Sequence, residues 1–276
     1  MLTSVVDLLG CPQCPGGPDG HRRVTSELGR DGRTLRCLHG HSFDIAKQGY
    51  VNLLTGRAGA NADTVSMVAA REKFLSTGHY RPIVDALAGS LKGARTVLEA
   101  GAGTGYYLAG ALPDHGRGLA CDLSTAAARK AAKQPHVGAV VADTWAGLPV
   151  LDGVIDAVLC VFAPRNFAEF RRVLAPGGRL LTITPTGNHL AGLRDQLGLL
   201  EVEADKQRRL HHDAEEHFDL IEERTLTWQF TPSSDQVRSL VEMGPNAFHQ
   251  RGSDLAAGSD GPVGAEVVLS VFTPRR

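Results

Sequence analysis

Between Arg95 and Pro185 the chain repeats one unit: a short apolar run of strand length, a turn, then a stretch of helical periodicity. Strand candidates fall at 96–100, 118–121, 139–142, 155–161 and 179–184, with helix candidates at 105–112, 125–133 and 166–174 between them. Strands alternating with helices build βαβ units, and these close into a parallel sheet through right-handed crossovers. This alternation restricts the chain more than any other feature, because both faces of such a sheet must be covered by helices. With 276 residues, 42% of them hydrophobic, there is enough material for one large core and a small appendage. Upstream, residues 61–91 read as two helices broken at Gly78. Downstream, 218–230 and 265–273 read as an antiparallel pair closing one sheet edge.

The first strand candidate runs directly into Glu99-Ala100-Gly101-Ala102-Gly103-Thr104-Gly105-Tyr106, which opens a helix. Glycines at a strand-to-helix turn let the backbone bend tightly and let a ligand approach the peptide plane. The spacing is G-x-G-x-G, not the G-x-G-x-x-G of dinucleotide sites, and Glu99 would repel a pyrophosphate. That carboxylate suits a cationic or zwitterionic ligand. The second strand ends in Asp122, placed to accept ribose hydroxyls, and the third in Asp143, placed near an adenine amino group. Gly101, Gly103 and Gly105 with these acids describe an adenosine pocket lacking a phosphate site, which points to S-adenosylmethionine. A dinucleotide-binding domain or a functionless glycine turn is the plainer alternative.

Residues 1–50 are rich in turn formers and poor in helical periodicity, so they need a staple. Three of the five cysteines lie here. Cys11 and Cys14 form a C-x₂-C knuckle, and Cys37 with His41 a C-x₃-H pair, a donor set suited to tetrahedral structural zinc. His39 competes for the fourth position. Cys121 and Cys160 sit in strand candidates and read as small core residues.

The glycine loop, its acids and the 174–180 turn resemble the class I methyltransferases, which implies an α/β fold with a Rossmann-like seven-stranded sheet containing one antiparallel strand. Further segments resemble one family within that class: Cys11 to Cys14, His41 to Asp44, Gln48 to Leu54, Asp63 to Arg71, Phe74-Leu75, Gly78 to Pro82, Val161 to Arg165, Thr184-Pro185 and His189-Leu190. This family is the zinc-containing 23S ribosomal RNA guanine-N1-methyltransferases, which include enzymes conferring macrolide resistance on actinomycete producers by modifying hairpin 35 of domain II. The resemblance implies that Cys11, Cys14, Cys37 and His41 bind zinc, that Tyr80, Gly103, Thr104 and His189 contact S-adenosylmethionine, and that two copies frame one RNA cleft as a homodimer.

The division expected from these features is a zinc-binding module at 1–50, a helical connector at 51–94 contributing to the cofactor site, and a methyltransferase domain at 95–276. Class I enzymes place the acceptor at the end of the fourth strand, so Phe162 or Pro164 is expected at the target base and Arg165 at a phosphate or base edge. No residue stands out as a general base. Arg22, Arg23, Arg30, Arg33, Arg36, Lys47 and Arg57 are the expected RNA grip on the N-terminal module. A net charge of −1 excludes binding through bulk positive charge and keeps a small-molecule methyltransferase of secondary metabolism as a second reading. The longest apolar run, 154–162, is too short to span a bilayer, and no signal-peptide pattern opens the chain, so the expected location is cytoplasmic, with no membrane partner.

Overall fold

The computed structural model of the protein describes residues 2–14, 24, 26–56, 62–200, 205–244 and 261–275. A 3-10 helix, Leu2–Leu8, leads into three short strands, β1 (Gly29–Asp31), β2 (Thr34–Arg36) and β3 (Ser42–Asp44), which form a small antiparallel sheet in the order β1-β2-β3. Strand β4 (Tyr50–Asn52) and the helices α1 (Val65–Leu75) and α2 (Arg81–Ser90) follow. The alternating region then gives β5 (Thr96–Ala100), α3 (Tyr106–Ala111), β6 (Arg117–Asp122), α4 (Thr125–Ala131), β7 (Val137–Val141), β8 (Ile155–Val161), α5 (Phe167–Val173) and β9 (Leu174–Pro185). The chain ends in α6 (Ala191–Leu197), α7 (Lys206–Ala214), β10 (Phe218–Phe230), α8 (Ser234–Glu242) and β11 (Val263–Pro274).

The large sheet has the order β10-β11-β9-β8-β5-β6-β7-β4. Strands β9, β8, β5, β6, β7 and β4 are parallel, and β11 runs antiparallel to both β9 and β10. The seven strands with one antiparallel member implied by the resemblance to class I methyltransferases are all present, and β4 adds an eighth. The addition has a local cause. Val51 alternates inward and is fully buried opposite Val140, while Gly49 at φ +92° supplies the turn that aims Tyr50–Asn52 along β7. The predicted C-terminal pair forms along nearly its full length, from Phe218↔Pro274 to Phe230↔Val263.

Two hydrophobic layers cover the sheet. One joins Phe74, Ile83, Leu87, Leu108, Ala128 and Leu240 from the helices to Val97, Leu159 and Val161 of the strands. The other joins Val5, Leu9, Phe167, Phe170 and Leu210 to Leu98, Val158 and Cys160. Neighbouring strand residues thus face opposite layers, which is why the strand sequences read as unbroken apolar runs. Cys121 and Cys160 are buried in the second layer. Helix starts are capped by Thr64, Ser124, Asn166 and Ser233, each accepting a backbone N–H.

The 3-10 helix docks on β7 through a missing side chain. A Cβ at Gly138 would lie 2.2 Å from Val5 Cγ2 and 3.2 Å from Leu2 Cα. Val5 has no room to retreat because it is fully buried. Gly138→Ala is therefore expected to cost about 1–3 kcal/mol through overpacking, measured as a lower urea midpoint, with detachment of the first ten residues seen in hydrogen exchange.

Candidate functional site

The loop from Gly101 to Gly105 occupies the carboxyl edge of the sheet, where open α/β folds bind ligands. Its three glycines have φ of +71°, +53° and +73°, the left-handed region open to residues without Cβ. The amides of Gly101 and Ala102 donate to the Cys121 carbonyl at the end of β6. The Gly103 amide donates to Asp122 Oδ2 at 2.7 Å and the Ser124 amide to Asp122 Oδ1 at 2.8 Å. Asp122 is thereby fixed beside the loop, and burial pushes its pKa up despite these donors. Thr104 is buried, with its carbonyl held by Gln134. Asp143 follows β7 and accepts the Trp145 amide at 2.9 Å.

Glu99 is fully buried under the loop. Its Oε2 accepts the Leu108 amide at 3.1 Å, satisfying a donor at the start of α3, while its Oε1 is buried without a partner. Burial, with Asp122 adding to it and the Leu108 bond opposing it, raises its pKa to about 8. An unmatched carboxylate oxygen at this position fits a cationic ligand group.

A second cluster stands across the mouth. Tyr80 Oη lies 3.1 Å from His189 Nε2, and both residues are buried. The Glu266 amide donates to His189 Nδ1 at 3.3 Å, so the ring proton sits on Nε2 and is donated to Tyr80. Burial, assisted by the Arg194 charge, lowers the His189 pKa to about 4 and keeps the ring neutral. Trp228, Phe230 and Phe74 pack edge-on against Tyr80. Phe162, at φ +53° and 39% exposed, brings its ring within 6.3 Å of Tyr80 and 5.9 Å of His189. A phenylalanine held in this region is strained, and such residues gather at functional sites. Pro164 is exposed, and Arg165 donates to Thr184 Oγ1 at 3.3 Å.

One residue of this site carried no assigned role in the sequence. Arg71 lies over Gly103, pairs with Asp63 and donates to the Met243 carbonyl at 2.8 Å. The signal was its position: an arginine four residues after Met67 and three before Phe74, on the buried stripe of α1.

The metal-ligand candidates converge. The donor atoms of Cys11, Cys14, Cys37 and His41 lie within 4.8 Å of one another. Cys14 Sγ is 3.7 Å from Cys37 Sγ, and His41 Nδ1 is 3.4 Å from the sulfurs of Cys11 and Cys37 and 3.6 Å from that of Cys14. Bonds of about 2.3 Å to sulfur and about 2.0 Å to nitrogen around tetrahedral zinc put ligand atoms roughly 3.5–3.8 Å apart, so the residues fit the ion. Gly40, at φ +85°, turns the chain so that the Cys37 amide reaches the His41 carbonyl. His39 lies beside Cys14, 3.3 Å from its sulfur, outside this group of four. Arg30, Arg33, Arg36 and Lys47 are exposed on the same module, whereas Arg22, Arg23 and Arg57 lie outside the described residues. Among the described residues no helix is long and apolar enough to cross a membrane.

Glu99 takes up its proton only in the fold, so its contribution to stability is full below pH 4.5 and is lost as pH rises toward 8. Glu99→Gln is expected to flatten that decline and raise the melting temperature of the ligand-free protein at pH 8, while weakening S-adenosylmethionine binding. Cys14→Ser should lower zinc from one per chain and expose the first fifty residues to limited proteolysis. Unchanged metal content would remove Cys14 from the ligand set.

Residues 24–57 match the family model described as RlmA, N-terminal, a zinc ribbon, and residues 97–178 match a general methyltransferase domain. The chain is 41% identical to the 23S rRNA (guanine(748)-N(1))-methyltransferase of Streptomyces fradiae, over 98% of this chain and 97% of that protein. It is 45% identical, over 90% of each chain, to a Micromonospora griseorubida protein whose name places it among the 23S rRNA (guanine-N(1)-)-methyltransferases. In fold it is similar to a chain from the complex between the Haloferax volcanii Trm112 methyltransferase activator and a methyltransferase, with TM-score 0.51, 16% identity, and coverage of 79% of this chain and 100% of that one.

Proposed function

Because the chain belongs to the family of 23S rRNA guanine-N1-methyltransferases, we propose that it transfers a methyl group from S-adenosylmethionine to N1 of a guanine in a domain II hairpin of 23S rRNA, and that this methylation confers macrolide resistance. The observation that carries the reading is likeness over nearly the whole chain; the glycine loop bonded to Asp122 over the buried Glu99 supports it. The reaction belongs in the cytoplasm, where ribosomal RNA is the substrate. Pairing of two copies around one RNA cleft is part of the same proposal.

Bound S-adenosylmethionine supplies a methyl group on a sulfonium, which guanine N1 takes in line as the carbon–sulfur bond breaks and N1 gives up its proton. The protein's work is alignment. Asp122 already accepts two backbone amides, but a carboxylate has about four acceptor sites, which leaves it free to take ribose hydroxyls. Asp143 takes the adenine amino group, and Gly101, Gly103, Thr104 and Gly105 let the cofactor approach the backbone. Glu99, protonated near neutral pH in the ligand-free fold, would balance positive charge once a cationic ligand group drew off that proton.

His189 does not serve as a base: its Nδ1 is occupied by the Glu266 amide and its Nε2 carries the proton. Its role is to fill a lone pair of Tyr80, which leaves the Tyr80 hydroxyl hydrogen free to donate to the cofactor. Phe162 and Pro164 meet the target base, with Arg165 beside them. The base must leave its stack to reach them, at a cost of a few kcal/mol unless a loop already presents it. Cys11, Cys14, Cys37 and His41 hold zinc as a closed structural site with no position for substrate.

The zinc-loaded protein should transfer tritiated methyl to unmodified 23S rRNA, and primer extension should stop at one guanine of domain II. Label without a stop in that domain would sink the assignment. Asp122→Asn should weaken S-adenosylmethionine binding about ten-fold or more, the worth of hydrogen bonds to a charged group, as read by calorimetry, with zinc content unchanged.

A further inference from the structure

Beside the mouth, the loop that carries Pro164 forms one wall of a cleft of about 430 Å³ lined by Trp145, Pro164, Arg165, Asn166, Asp213 and His217. Two features of this cleft have no role in holding S-adenosylmethionine or zinc. The first is Trp145. Its side chain is 66% exposed, on a loop fixed by the Trp145 amide bond to Asp143 and by Asn166 Nδ2 donating to the Thr144 carbonyl. An exposed indole on a fixed backbone is a stacking platform, and the bond from Asn166 ties that platform to the acceptor loop.

The second is unmatched positive charge. Arg165 Nε is buried without an acceptor, and Arg165 pairs with no carboxylate among the described residues. Lys206 is not itself in the cleft lining but stands near enough to Arg165 for their charges to interact, and it opens α7, the helix that also carries Asp213 of the cleft wall. It is partly buried and has no hydrogen-bond or ion-pair partner among the described residues. Burial and the nearby Arg165 charge both push its pKa down. The first turn of a helix is itself positive, so a lysine there adds to the imbalance. Asp213 lies seven residues further along α7, which at 1.5 Å per residue separates the acidic from the cationic end by about 10 Å. An anion is therefore favoured at the Arg165–Lys206 end, and hydrogen-bond donors at the Asp213 end.

We propose that this cleft is a subsite for a nucleotide adjoining the target guanine, with its base stacked on Trp145 and its phosphate held by Arg165 and Lys206. The subsite rests on the functional reading above, and it explains how a protein of near-zero net charge places a hairpin: through one aromatic platform and a local cation pair. A flanking nucleotide held here leaves the guanine beside Phe162 and Pro164.

The test uses the full, zinc-loaded chain and a domain II hairpin transcript, with binding read by fluorescence anisotropy from 50 to 200 mM salt. Trp145→Ala should weaken hairpin binding on the order of ten-fold without changing the salt slope, and Trp145→Phe should restore most of it. Lys206→Gln should weaken binding and reduce the slope by about 0.7, the value of one single-strand phosphate contact. Affinity for S-adenosylmethionine should stay unchanged in all three. Wild-type hairpin affinity and slope in Trp145→Ala and Lys206→Gln, alongside normal methylation by the parent, would overturn the subsite and leave the function standing. Loss of S-adenosylmethionine affinity would also overturn it, by making the cleft part of the cofactor pocket. A parent protein that neither binds nor methylates the hairpin would remove both.

Discussion

The bond from the Gly103 amide to the Asp122 carboxylate holds the whole site in register. It joins two neighbouring strand ends, β5 and β6, at the edge where the loops emerge. With the amides of Gly101 and Ala102 tied to the Cys121 carbonyl, the glycine loop has little freedom left. Its left-handed glycines then determine what can stand nearby. A Cβ at Gly101 would meet Ala163 at 2.5 Å, so the loop after β8 can pass close only because that atom is missing. A Cβ at Gly103 would crowd the Arg71 side chain at 3.1 Å. The glycine loop, the loop of Phe162 to Arg165 and the covering arginine are therefore set by one hydrogen-bonded turn.

The mouth above it relies on a different device. His189 is buried and neutral, and its hydrogen-bond direction is dictated by a backbone amide. That amide belongs to Glu266 on β11, whose carboxylate accepts from Thr186, Asn188 and Thr227. The antiparallel strand, held between β9 and the edge strand β10, thus orients the buried Tyr80–His189 pair, which ties the C-terminal hairpin to the aromatic cluster as well as to the core.

Much of this was legible in the sequence. The run from β5 to β9 could be read because its strands are largely buried on both faces and its intervening helices are short, two of them capped by Ser124 and Asn166. The loop, Asp122 and Asp143 could be read because they are fixed by position at strand ends. The metal cluster could be read from ligand type and spacing, although only the folded turn at Gly40 sets His41, and not His39, among the three sulfurs. What escaped depends on contacts distant in sequence. Tyr50–Asn52 straddles the expected boundary between the zinc module and the helical connector, and its place in the large sheet is decided by β7, nearly ninety residues later. The direction of the Tyr80–His189 bond depends on an amide 77 residues beyond His189. Arg71 was hidden because an arginine within an apolar stripe reads as a helix surface until its partners are known.

The eighth strand also changes what the zinc module protects. Without β4, strand β7 would be the sheet edge, exposing the N–H and C=O groups of Val137-Gly-Ala-Val-Val141, a segment with no charge and no proline. Bare edges of that composition pair with copies of themselves. Strand β4 reaches its place through the tight turn at Gly49, a few residues after the metal cluster ends. By fixing the segment that leads into β4, the metal site therefore bears on solubility as well: a chain made under zinc starvation risks self-association along β7, a failure unrelated to catalysis.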